Sequence, residues 1–80
     1  MNKTIETILR IRDEGLKKSG NFDYGANVIP VIKYYQSIKE HEKRKEFITA
    51  IEEMLKSENV EHRNYAVNLC LGFVTFKDAI

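Results

Sequence analysis

Phe47, Ile48, Ile51, Met54 and Leu55 fall at i, i+1, i+4, i+7 and i+8, the spacing of a single apolar stripe along a helix. Such a stripe is stable in water only when other apolar faces cover it, so the rest of the chain has to supply them. It does so in the same period. From Thr4 to about Lys18, Ile5, Ile8, Leu9, Ile11 and Leu16 lie on one side of a helix, with Glu6, Arg10, Asp13 and Lys17 opposite. Ser19-Gly20-Asn21 then ends it, because Gly and Asn tolerate the left-handed conformation at helix ends. A second helix begins between Asp23 and Asn27, with Pro30 in its first turns where a missing N–H costs little. It carries Val28, Ile29, Val31, Ile32, Tyr34, Tyr35 and Ile38.

A short break is expected near Glu40 to Glu42, after which the third helix runs to about Lys56. Ser57-Glu58-Asn59 closes it, and a fourth helix spans about Val60 to Thr75. Its main apolar face is expected to be Ala66, Leu69, Cys70 and Phe73, and Val67, Leu71 and Val74 form a second stripe beside it. The one competing strand pattern, Leu69 to Phe76, lacks flanking turns and a second strand to pair with. The expected class is therefore all-α, four helices in a single domain over residues 1–80. With only 80 residues, one core is marginal, so apolar surface left uncovered by this chain becomes a candidate for another.

The two halves match at an offset of 38 to 39 residues. Ile8-Leu9 corresponds to Phe47-Ile48 and Leu16-Lys17 to Leu55-Lys56; after a one-residue deletion, Ser19, Asn21, Phe22 and Asp23 correspond to Ser57, Asn59, Val60 and Glu61. Further on, Val28, Val31, Ile32 and Tyr35 meet Ala66, Leu69, Cys70 and Phe73. Each half, about residues 4–38 and 43–76, is then a helix, a Ser-x-Asn turn and a second helix, two hairpins that stack. The second half, Phe47-Ile-x-x-Ile-x-x-Met-Leu-x-Ser-x-Asn-Val-x-x-Arg-x-x-Ala-x-x-Leu69, resembles one HEAT-like repeat, with Arg63, Ala66 and Leu69 at that family's Arg-x-x-Ala-x-x-Leu positions. The chain departs from the pattern in having His62 before the Arg, and in the first half Gly25 and Val28 stand where Arg63 and Ala66 stand. The resemblance implies a short α-α superhelix that binds other macromolecules, and it implies no catalysis.

Charge narrows the partner. Thirteen Lys and Arg against twelve Asp and Glu leave a net charge of +1, too little for the broad field of a nucleic-acid or anionic-membrane binder. The alternative, nucleic-acid binding through Lys39, Lys43, Arg44 and Lys45, is opposed by the interleaved Glu40, Glu42 and Glu46. Met1 to Arg12 has no continuous apolar region of a secretory leader, and no run approaches the ~18 apolar residues of a membrane span. Cys70 is the only cysteine, which excludes an intramolecular disulfide or a multi-thiolate metal site and fits a reducing, cytoplasmic location. Its place among Leu69 and Leu71 reads as a small buried hydrophobe.

No catalytic, metal or cofactor set emerges. His62 and Cys70 are separated by ~12 Å of helix, too far to share an ion, and Glu52-Glu53 form a polar face. Arg63, near a helix start where the dipole disfavours a cation, is expected to have a specific partner such as Glu58 or Glu61. Tyr35 aligns with Phe73 in the core, whereas Tyr24, Tyr34 and Tyr65 fall off the main stripes and, with Arg63, form a candidate partner-binding surface. The second stripe of the last helix, Val67, Leu71 and Val74, continues through Phe76 toward Ala79 and Ile80 and points to a homodimer interface. The expected function is a non-catalytic protein-interaction module, whether adaptor, inhibitor or immunity-type protein.

Overall fold

The computed structural model describes residues 2–20 and 24–76, with Tyr24 and Phe76 in backbone only. Five helical segments follow one another: α1 (Lys3–Ser19), α2 (Tyr24–Asn27), α3 (Ile29–Ser37), α4 (His41–Leu55) and α5 (Val60–Phe76). No strand occurs among the described residues. α2 and α3 together make the expected second helix, interrupted at Val28. The first hairpin is α1 against α2 and α3, the second is α4 against α5, and they stack with α1 on α4 and α3 on α5. The smallest extent of the molecule, 20 Å, equals two helix diameters and hence two layers.

Each boundary has a chemical cause. Asn2 caps α1 by accepting the Thr4 N–H at 2.7 Å, and Gly20 ends it in the left-handed region at φ 82°, donating its N–H to the Leu16 carbonyl. The interruption at Val28 traces to Pro30, which has no N–H to return to the Ala26 carbonyl four residues earlier. The Val31 and Ile32 N–H groups both bond to the Val28 carbonyl instead. The end of α3 is held by Arg44 of α4, whose guanidinium donates to the Ile38 carbonyl at 2.6 Å and the Gln36 carbonyl at 3.3 Å while lying over the Tyr35 ring. Before α5, Asn59 accepts the N–H groups of Glu61 and His62, and Ser57 accepts that of Asn59. The Ser-x-Asn turn of the second hairpin thus works as a cap; Asn21, Phe22 and Asp23 of the first lie outside the described residues.

Ile8, Val28, Val31, Ile32, Phe47, Ala50, Met54, Ala66 and Leu69 are fully or almost fully buried, with Ile5, Leu9 and Ile51 beside them. Tyr35, Phe47 and Phe73 meet in a ring triangle, with centroids 5.0 to 6.2 Å apart, that ties α3, α4 and α5 together. Two glycines inside helices mark where backbones come closest. A Cβ on Gly15 would lie 1.9 Å from the Ala26 carbonyl oxygen, and one on Gly72 would lie 2.4 Å from Val28 Cγ1 and 3.0 Å from Ile32 Cδ1.

The stripe of α4 is rotated slightly from the expected one. Ala50 is buried with Phe47, Ile51 and Met54, whereas Ile48 is 43% exposed. On α5 the buried face is Tyr65, Ala66, Leu69 and Gly72 with Phe73 partly covered, and Cys70 is exposed rather than buried. Burial agrees between the halves at Ile8 and Phe47, Val28 and Ala66, Val31 and Leu69, and Tyr35 and Phe73. It differs most at two pairs: Leu9 and Ile32 are buried in the first hairpin, but their counterparts Ile48 and Cys70 are exposed. The first hairpin has the second stacked on it, whereas among the described residues nothing covers those positions of the second.

Two substitutions test this packing. Ile51→Ala should lose ~2–5 kcal/mol of unfolding free energy in urea titrations, with exposed Glu53→Ala within ~0.5 kcal/mol of the parent. Gly15→Ala should lose ~1–3 kcal/mol net to the clash with the Ala26 carbonyl, although alanine raises helix propensity by ~1 kcal/mol.

Candidate interaction surface

α5 decides what this molecule shows to others. Its small residues, Ala66 and Gly72, let it settle closely on α3 and α4, which fixes its rotation and turns the opposite side outward. That outer side is apolar: Val67 is 45% exposed, Leu71 51% and Val74 73%, with Val60 and Cys70 exposed beside them. From Asn64 to Phe76 the sequence contains no Asp, Glu, Lys or Arg, in a chain where 31% of residues are charged. A solvated helix face normally carries charge. A continuous uncharged strip on an exposed helix is the pattern of a contact surface.

Val67, Leu71 and Val74 stand exposed where the sequence places them; Phe76 is described in backbone only, and Ala79 and Ile80 lie outside the described residues. The tyrosine surface does not assemble as expected. Tyr65 is 3% exposed and belongs to the core. Its hydroxyl donates to the Asn27 carbonyl, and the Arg12 guanidinium lies 5.5 Å above its ring. Tyr34 is exposed but rests against Phe47 at a centroid distance of 6.1 Å. The side chain of Tyr24 is not among those described.

Arg63 does have a specific partner, but it is a carbonyl and not a carboxylate. Its Nη1 donates to the Ser57 carbonyl at 2.9 Å, which fastens the turn before α5 and offsets the unfavourable position of a cation at that helix end. The basic segment is also partly engaged. Arg44 is occupied by the end of α3, and Lys43 pairs with Glu40 at 3.4 Å.

Three features near Tyr65 were not visible in the sequence. Asn27 is completely buried, and its Nδ2 donates to the Arg12 carbonyl at 3.1 Å. Arg12 keeps only 17% of its side chain exposed while pairing with Asp13 at 2.8 Å. Burial raises the Tyr65 pKa well above the ordinary 10.0; the Arg12 charge opposes the rise and Asp13 adds to it. The group is a neutral donor joining α5 to the first hairpin, with no reactive character. Gly15 beside it is the local signal: a glycine within a helical pattern marks a close approach.

Depressions on the surface are shallow. One is bounded by Arg12, Leu16, Glu61, Tyr65 and Asn68, another by Tyr35, His41, Arg44, Lys45, Ile48, Thr49 and Glu52. Among the described residues no three His, Cys, Asp or Glu side chains gather as a metal-ligand set, and no helix is long and apolar enough to cross a membrane. No protein-family model, curated protein or solved structure matches the chain.

Tyr65→Phe strands the buried Asn27 carbonyl and should cost ~1–3 kcal/mol at neutral pH. The unfolded chain releases this proton near pH 10 whereas the folded chain retains it, so the tyrosine's contribution is present below pH 10 and lost as pH rises further. Urea titrations at pH 7 and pH 11 should therefore show the gap between Tyr65→Phe and its parent narrowing at the higher pH.

Proposed function

We propose that this chain is a non-catalytic protein-interaction module that acts by stoichiometric binding, as an adaptor, an inhibitor or an immunity-type protein. The observation that carries this reading is the uncharged outer face of α5, apolar at Val67, Leu71 and Val74 and exposed to solvent. In a domain this small such a face lowers solubility unless something covers it, so its presence argues for a protein partner. The stacked hairpins support the HEAT-like reading, an architecture suited to presenting helix faces. The engaged Arg44 and Lys43 weaken the nucleic-acid alternative, because less of the basic segment is left for phosphates. The exposed thiol of Cys70 fits a reducing compartment such as the cytoplasm.

The covering partner we assign is a second copy of this chain, meeting α5 with its own α5 across a two-fold axis. An isologous contact covers the same patch on both molecules and closes, leaving no apolar face for further growth.

Light scattering coupled to size exclusion at micromolar concentration tests this. A species of twice the 9.4 kDa chain mass is expected, and Leu71→Glu should convert it to the monomer by placing a carboxylate in an uncharged contact. A native chain that runs as a clean monomer would sink the homodimer.

A further inference from the structure

The two positions at which the hairpins differ most in burial are both open in the second hairpin. Leu9 and Ile32 are buried in the first hairpin; their counterparts Ile48 on α4 and Cys70 on α5 are exposed. Val67, Cys70 and Val74, spaced i, i+3 and i+7, line one edge of α5, opposite Gly72, which packs on α3. The second hairpin therefore has an open end that is uncharged along α5 from Asn64 onward.

What fits there is decided by charge. A head-to-tail copy would set its α3 on this α5, as α3 lies on α5 within the chain, yet the exposed side chains of α3 are the charged Lys33 and the polar Tyr34, Gln36 and Ser37. Laying those groups on an apolar strip would strip their water with no partner in return. The exposed strip of α5 at Val67, Cys70, Leu71 and Val74 carries no charge, and it matches itself.

Resting on the homodimer reading above, we propose that two copies join open end to open end, with α5 antiparallel to its counterpart and Cys70 beside the partner subunit's Cys70 at the two-fold axis. Residue 70 is the midpoint of the uncharged stretch 64–76, so pairing about it gives the greatest overlap of uncharged surface. Val67 then lies against the partner subunit's Val74, and Ile48 extends the contact onto α4. Antiparallel pairing also opposes the two helix dipoles. It brings Arg63 to the C-terminal end of the partner helix, whose last turn has no basic residue of its own. Parallel pairing aligns the dipoles and offers Arg63 no such site.

The native cysteine makes this measurable. With diamide as oxidant, the native protein should form a Cys70 disulfide dimer at a rate independent of protein concentration once the non-covalent dimer is populated. The variant Cys70→Ser/Val74→Cys should react about tenfold more slowly or less, because its two thiols sit eight residues apart along the paired helices, ~12 Å, beyond the ~4.5 Å Cβ separation a disulfide allows. Equal rates for the two proteins would mean parallel helices and overturn the arrangement. So would a native rate that scales with concentration, the mark of random collision. If light scattering still shows a dimer in either case, the homodimer stands and only its geometry falls; a monomer removes both.

Discussion

Pro30 sets the geometry on which the rest of the fold depends. Lacking an N–H, it cannot serve the Ala26 carbonyl, and the helix is interrupted at Val28, whose carbonyl takes the next two N–H groups. The Asn27 carbonyl is thereby released from the helical pattern and receives the Tyr65 hydroxyl from α5, thirty-eight residues away. Asn27 itself turns inward and binds the backbone of α1 at Arg12, three residues from the glycine against which α2 rests. One missing proton donor thus leads to a junction that joins α1, α2 and α5. Removing any single member leaves a polar group buried without its partner, which is costly in a domain of this size.

The helices were legible in the sequence because their signals are local. Stripe period, a glycine with positive φ at the end of α1, and an asparagine cap before α5 each act within a few residues, and each stands close to where it was expected. The fourth helix was legible in extent but not in rotation. It is apolar on nearly every side, so size alone favours Cys70 over Gly72 as an inward residue. Contact with Val28 and Ile32 reverses that order, since only a residue without a side chain fits there. Tyr65 was misread because it falls off the apolar stripe of its helix, and the Asn27 carbonyl that holds it inward lies on a distant segment.

The candidate surface was legible in part. Val67, Leu71 and Val74 follow from having more apolar residues on the last helix than one core can cover. Ile48 does not follow, because it belongs to the strongest stripe in the chain, and its exposure depends on which hairpin lies outermost. Tyr65 left the expected tyrosine surface because position around a helix does not reveal what a neighbouring helix carries, whereas Tyr34 is exposed. Arg63 and Arg44 show a related point: both read as charges seeking charges, and both bind carbonyls at helix ends.

The composition of α5 carries a further meaning. Three valines, a threonine, a glycine, two asparagines and several aromatics make it a poor helix by intrinsic propensity, and as a free segment it would hold little helical structure. It is helical because α3 and α4 offer a template, with the aromatic triangle and the bed beneath Gly72 selecting its conformation. Its outward strip therefore exists as a shaped surface only in molecules whose interior has already assembled. Display of the strip is conditional on folding: a partially assembled chain presents the same residues as unordered polymer, with neither the spacing nor the rigidity that recognition requires.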